Sequence, residues 1–406
     1  MPVTIKDIRK AARQIKGQVV RTPSVPSAAL SEMTGAEVVL KLENLQHTSS
    51  FKPRGALVKL LSLSAAEMKA GVVAASAGNH AQGVAWHARN LGIPATVFMP
   101  ENTPFTKVGR TQSLGAKVEL AGSDLSEAKT HANNFAYANE MAFVHPYDDD
   151  KIIAGQGTVG LEMLQDDDDL DALIIPIGGG GLIAGSAIAA KAINRKIKIY
   201  GVEAKAYPSM RNILKGKKTK AGGQTIAEGI AVKDPGELTR PIVKKLVSDL
   251  LLVDETALEE AVQVYLETQR LVVEGAGAAS LAALMKNRKL FKGKKVGLVV
   301  SGGNIDSRLM SSVLMRGLVN NGRMVRLRIA ISDTPGALAT VTGLIAECGG
   351  NIVEVYHQRM FQDIPVKQAD LDAVIETRDA SHVKKIIACL NKAGYDTRRL
   401  GSTSTS

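Results

Sequence analysis

Through the first three quarters of the chain, short apolar runs alternate with stretches in which apolar positions return every three or four residues. The run 36–44 precedes a helical pattern at 52–64, 71–76 precedes 79–92, 94–100 precedes 104–115, and 116–122 precedes 124–141; the run 143–147 closes the set. A second series begins at 171–177 and continues at 196–203, 249–255 and 295–304. Short strands that each lead into a helix ending near glycine predict βαβ units and a mostly parallel sheet. The break near the acidic loops at Asp148 and Asp166 predicts two α/β lobes with a cleft between them, the smaller spanning about residues 50–150. The aspartate run 166–169 reads as a solvated loop before a strand.

From Met324 the texture changes. Strand 325–332, turn 333–337, helix 338–349, strands 351–360 and 367–377, helix 380–394 and a short terminal segment form a compact α+β unit of ferredoxin-like type. The predicted organisation is therefore a large α/β domain at 1–322, a small domain at 324–400, and a disordered tail at 401–406.

Composition narrows the classes. Of the 406 residues, 45% are hydrophobic and 22% charged, which fits a globular protein and excludes a disordered one. The net charge of +11 invites a nucleic-acid reading, but the densest basic run, 214–223, contains no aromatic residue on which bases could stack. The excess of charge is better suited to attracting small anions. Two cysteines, Cys348 and Cys389, make neither a disulfide framework nor a metal cluster and fit a reducing cytoplasm. Residues 1–17 read as an amphipathic helix without the apolar core of a signal peptide. The segment 172–190 is uncharged, yet four glycines in its middle would unravel a spanning helix, so a strand, a loop and a helix are expected and no membrane is involved.

Four segments could carry chemistry. Gly178, Gly179, Gly180 and Gly181 lie between a strand and a helix starting near Leu182, where converging N–H groups and a helix dipole make a phosphate cradle. With Ala184 and Glu203 the loop also satisfies a dinucleotide fingerprint, so a nicotinamide dehydrogenase is a rival on this motif alone. Lys52 follows Phe51 and precedes Pro53. Desolvation beside the ring would hold its amine partly neutral, as Schiff-base chemistry requires. Residues 76–83, Ser-Ala-Gly-Asn-His-Ala-Gln-Gly, suit a carboxylate at a helix N-terminus. Ser301, in Ser-Gly-Gly-Asn, ends a buried strand where open α/β sheets bind ligands.

Together, Ser-Ser-Phe-Lys-Pro-Arg-Gly-Ala at 49–56, the 76–83 segment, the glycine loop and 301–304 resemble the fold-type II pyridoxal-phosphate enzymes of the tryptophan synthase β family. The likeness extends over essentially the whole chain and is closest to the threonine dehydratases and serine racemases. It implies pyridoxal 5′-phosphate held by Lys52, with Phe51 against the ring and Lys52 afterwards acting as the base. It further implies Asn79 at the pyridoxal 3′-oxygen, and Ser76, Ala77, Gly78, Asn79 and His80 around the substrate carboxylate. Gly178 to Gly181 and Leu182 would bind the phosphate, Ser301 the pyridine nitrogen, and Glu274 would line the ring edge. The implied reaction is deamination of L-threonine to 2-oxobutanoate and ammonia, with side activity on L-serine; a serine racemase or hydroxyaspartate dehydratase is the alternative. Racemisation needs a second acid/base where this chain has Ala77, which favours elimination. Such relatives also bind a divalent cation through a glutamate and an acidic residue six positions on, but Glu203 is followed there by Ser209, so no metal is expected.

The 328–355 segment resembles an ACT domain, a small ligand-binding module, through Asp333, Pro335, Gly336, Ala337, Leu338 and Asn351. The resemblance implies a homo-oligomer, dimer or tetramer, with isoleucine or valine as effector at Gly336, Ala337, Leu338 and Asn351.

Overall fold

The computed structural model describes residues 3–218, 220–358 and 367–401. The final residues expected in the strand 351–360, and the tail from 402 onward, lie outside them. The chain divides into two compact units, 1–305 and 306–406. The helix Ser307–Asn320 thus belongs to the second unit and not, as a boundary at 322 has it, to the first. Asp306 caps that helix, accepting from the N–H groups of Arg308 and Leu309, so the division falls where a new helix nucleates.

In the first unit the apolar runs separate into two sheets. Strands Val72–Ala75, Ala95–Met99, Lys117–Leu120 and Ala142–Phe143 make a parallel four-stranded sheet, the smaller lobe. The larger sheet has the order Ser24–Pro26, Glu37–Leu42, Lys295–Val300, Ala172–Pro176, Lys198–Ala204, Asp249–Val253, and only its first strand is antiparallel. The run 36–44, first in the sequence series, therefore pairs with the last strand of the unit. From Ala172–Pro176 the chain winds outward to one side and returns on the other as Lys295–Val300. The carboxyl ends of these two neighbours consequently open a crevice, where the glycine loop and Ser301 both emerge.

The helix Asp150–Asp166, absent from the periodicity reading, joins the lobes. Its glycines lower helix propensity, but they admit another backbone. A Cβ on Gly157 would stand 2.9 Å from the carbonyl oxygen of Gly185, in the helix Gly181–Ile193. Propensity is sacrificed here for close helix contact.

Beneath the first turn of the helix Lys52–Leu60 lies a buried ionic cluster. The Arg54 guanidinium forks to Glu43 (2.8 Å from Nε and 2.8 Å from Nη2) and to Glu162 (2.7 and 2.8 Å). Lys41 Nζ donates to Glu162 at 2.7 Å and to the Thr22 carbonyl at 2.7 Å, while the Thr22 hydroxyl donates to Glu43. Two cations against two anions leave the cluster neutral, the condition under which buried charge is tolerable.

The second unit contains an antiparallel sheet in the order Asn351–Gln358, Gln368–Glu376, Met324–Ser332, Thr397–Arg399. The helices Ala337–Glu347 and Ala380–Lys392 cover one face, burying Val325, Leu327, Ile329, Leu371 and Ile375. The opposite face carries Arg326 and Arg328, both paired with Asp372. The short terminal segment is its fourth strand, which completes the ferredoxin-like pattern. Among the described residues no helix is long and apolar enough to cross a membrane.

Candidate active site

Lys52 opens its helix, and the segment before it is stitched to the end of the strand carrying Ser301. Phe51 N–H donates to the Ser301 carbonyl at 3.1 Å, Gly303 N–H to the Ser49 carbonyl at 2.8 Å, and Ser50 bridges to Gly302. Ser49 has φ 53°, a left-handed backbone uncommon for a side-chain-bearing residue, directly at the approach to Lys52. From the smaller lobe the helix Asn79–Asn90 closes in: a Cβ on Gly83 would lie 3.1 Å from the Lys52 carbonyl carbon. Lys52 Nζ donates to the Pro146 carbonyl at 2.9 Å and lies 5.2 Å from the centre of the Phe51 ring. Desolvation draws its pKa from 10.5 down to about 8, opposed by the Glu274 carboxylate.

Asn79, first residue of its helix, donates through Nδ2 to Glu274 Oε1 at 2.8 Å, linking the lobes. Burial pushes the Glu274 carboxyl up to about 7, and the Asn79 bond opposes that shift. Glu274 precedes the helix Gly275–Lys286, and its N–H donates to the Gly302 carbonyl at 3.1 Å. The N–H groups of the first turn after Gly78 have no acceptor inside their own helix. The Ser76 hydroxyl accepts from Gly78 N–H at 3.2 Å, Ala77 packs on the smaller lobe's core, and the His80 ring is buried against the Val144 carbonyl at 2.8 Å. Burial drives His80 down to about 3, so the ring is neutral.

At the glycine loop, Gly180 has φ 97° and caps the helix Gly181–Ile193. The Gly179 carbonyl accepts from Gly236 N–H (3.0 Å) and the Thr239 hydroxyl (2.7 Å). A Cβ on Gly179 would sit 2.1 Å from Tyr147 Cγ, so the aromatic ring lies directly over the loop. Tyr147 is held by a 2.7 Å bond from its hydroxyl to the Asp234 carbonyl. The Leu182 side chain turns into the large-lobe core, leaving its backbone to the loop. Ser301 is buried at the end of its strand. The structure thus gathers Phe51, Lys52, Asn79, Glu274 and Ser301 around one crevice.

The model of the pyridoxal-phosphate dependent enzyme family matches residues 15–302. The chain belongs to that family. An L-threonine ammonia-lyase from Thermotoga maritima is 44% identical over 401 residues, 98% of this chain and all of the relative. Among solved structures, a maize serine racemase superposes with TM-score 0.74 at 34% identity, covering 79% of this chain and 99% of its own. The processed form of threonine deaminase isoform 2 from Solanum lycopersicum does so with TM-score 0.72 at 33% identity, covering 76% and 93%.

The residues fit pyridoxal phosphate, the family's cofactor. A desolvated amine suits bonding to an aldehyde, and a loop whose Gly179 and Gly180 have no room for a side chain suits a phosphate. The dehydrogenase rival fails at Glu203. Its carboxylate is buried and accepts from the N–H groups of Met210 (2.7 Å) and Arg211 (3.0 Å), so it is turned onto the start of the following helix.

The effector candidates lie in the second unit. Gly336, φ 90°, precedes the helix Ala337–Glu347; Leu338 packs on the core; Asn351 Nδ2 donates to Glu376 at 3.1 Å. Sequence reasoning missed Tyr147, Arg54 and Asn304. Asn304 stood in the quoted Ser-Gly-Gly-Asn motif, whereas nothing local marked Tyr147.

Proposed function

We propose that this chain deaminates L-threonine to 2-oxobutanoate and ammonia by eliminating water, with L-serine as a slower substrate. The observation that carries the reading is the Lys52 amine, held near pKa 8 beside Glu274 and Asn79, with Ala77 where a racemase needs a second proton carrier. The Thermotoga relative's name supports the choice of substrate.

Bound pyridoxal phosphate supplies an aldehyde for amines and a conjugated ring that accepts the electron pair left at the α-carbon. Lys52 Nζ, neutral in a useful fraction of molecules, takes the α-proton. The N–H groups after Gly78 hold the substrate carboxylate and orient the Cα–H bond toward Lys52. Glycines 178–181 and the N–H of Leu182 anchor the phosphate. Ser301, uncharged, would meet the pyridine nitrogen without fixing a positive charge there, which would keep elimination ahead of transamination.

The Pro-Gly turn before Ala337 supports an isoleucine or valine site in an ACT-like second unit, whereas Asn351, level with Glu376 and Met324, lies at the other end of the sheet from that turn. Calorimetry showing no heat with either amino acid would leave that unit an association module. We take the protein to be a cytoplasmic homo-oligomer. The deciding assay is 2-oxobutanoate release from L-threonine by cofactor-loaded protein, with Lys52→Ala as control. Release that persists in the variant, or D-amino acid in place of the oxo acid, would overturn the reading.

A further inference from the structure

Asn79 can face a cofactor in two ways, offering either its amide N–H or its carbonyl oxygen. Amide side chains are nearly symmetric in shape, so the choice must come from their hydrogen-bond partners. Here it starts from an unambiguous group. The backbone carbonyl of Thr48 can only accept, and Asn304 Nδ2 donates to it at 2.7 Å. The second proton of the same NH₂ goes to Asn79 at 2.6 Å, so the Asn79 atom on that side must be Oδ1. Asn79 Nδ2 is thereby turned the other way, toward Glu274 Oε1 at 2.8 Å and the mouth of the crevice. Asn304 Oδ1 is buried without a protein donor, so the side chain is held by the two bonds it gives.

We propose that Asn304 is a positioning residue: by bonding the Thr48 carbonyl and Asn79 Oδ1 together, it fixes the Asn79 amide so that its N–H faces the cofactor's ring oxygen. This rests on the reading that Asn79 meets the cofactor. The same contact clips the loop leading to Lys52 against the smaller lobe, so the amine and the amide are registered through one side chain.

The test uses the cofactor-loaded full chain and reads the pH midpoint of the bound chromophore's absorbance, together with cofactor affinity for the stripped protein. Asn304→Asp replaces the donor with a carboxylate that repels Asn79 Oδ1 and the Thr48 carbonyl, favouring the flipped amide. The midpoint should move by more than about 0.5 pH unit, roughly a threefold change in the titration constant. The kcat should fall about tenfold or more with a smaller change in KM, as expected for an interaction that matters most in the transition state. Asn304→Ala removes the donor without adding charge and should move the midpoint less; it serves if the Asp variant does not fold. In an Asn79→Ala background, Asn304→Asp should add almost nothing to the shift, because the two residues act as one unit. A midpoint unchanged in both Asn304 variants, or a shift of equal size with and without Asn79, would overturn the proposal. If Asn79→Ala alone leaves the chromophore unchanged, the placing of Asn79 at the cofactor fails and takes the proposal with it.

Discussion

The Lys52 amine offers the sharpest quantitative test, because its reactivity follows from its surroundings before any substrate is present. With a pKa near the ordinary 10.5, about one amine in three thousand would be neutral at pH 7; at about 8, roughly one in ten is. The pocket therefore raises the reactive fraction about 300-fold, and desolvation is the cause. Glu274 works against it, so Glu274→Gln should take the midpoint lower still and enlarge the neutral fraction at pH 7. The assay is a short pulse of acetic anhydride on cofactor-stripped protein from pH 6 to 10. Acetylation of Lys52 is read by peptide mass spectrometry and normalised to the exposed lysines of the 215–220 loop. The Lys52 curve should rise through about pH 8 in the native chain and earlier in Glu274→Gln. A curve that superimposes on the exposed lysines, or a Glu274→Gln midpoint that moves upward, would refute the reasoning.

Arg54→Ala should cost about 3–5 kcal/mol in denaturant unfolding, because Glu43 and Glu162 would be left with Lys41 as their one cluster cation; a loss under about 1 kcal/mol would show that water replaces the guanidinium. Gly179→Ala drives a methyl into the Tyr147 ring and should weaken cofactor binding about tenfold or more, with Tyr147→Ala in the same chain restoring part of it. Ser301→Asp should raise transamination relative to elimination, read by product chromatography; an unchanged ratio removes its role at the pyridine nitrogen. His80 and His87 are buried and neutral, held down to about 3 and about 4, so the unfolded chain binds more protons below pH 6.5. Stability should be full above pH 6.5 and fall by about 2 kcal/mol per histidine by pH 5. Denaturant midpoints at pH 7 and pH 5 should show that loss, and His87→Leu should reduce it.

The alternation of apolar runs and helical periods determined the class of the first unit, because a parallel strand buried on both faces must be continuously apolar and its crossover helix amphipathic. The strand, turn and helix pattern after Met324 likewise determined the ferredoxin-like unit. The chemistry around Lys52 and the glycine loop was legible for a local reason. A reactive amine needs an apolar neighbour and a phosphate loop needs bare backbone, and both demands are written at adjacent positions.

Pairings between distant positions were not legible. That the run 36–44 would lie beside Lys295–Val300 depends on which edges remain free once both lobes have closed, and no local period encodes it. The helix Asp150–Asp166 was hidden because its glycines, poor helix formers, answer to a neighbouring backbone in another helix. Nothing local marked the burial of Arg54, since burial of a guanidinium is decided by whether Glu43 and Glu162 arrive to meet it. The matched dinucleotide fingerprint misled for the converse reason: Glu203 has the right spacing, but tertiary packing turns its carboxylate onto the N–H groups of Met210 and Arg211. Sequence fixes which groups can react, because that is a property of neighbours along the chain. Their orientation, as with Asn79 between Asn304 and Glu274, is set by hydrogen bonds across some two hundred residues, which exist only once the chain has folded.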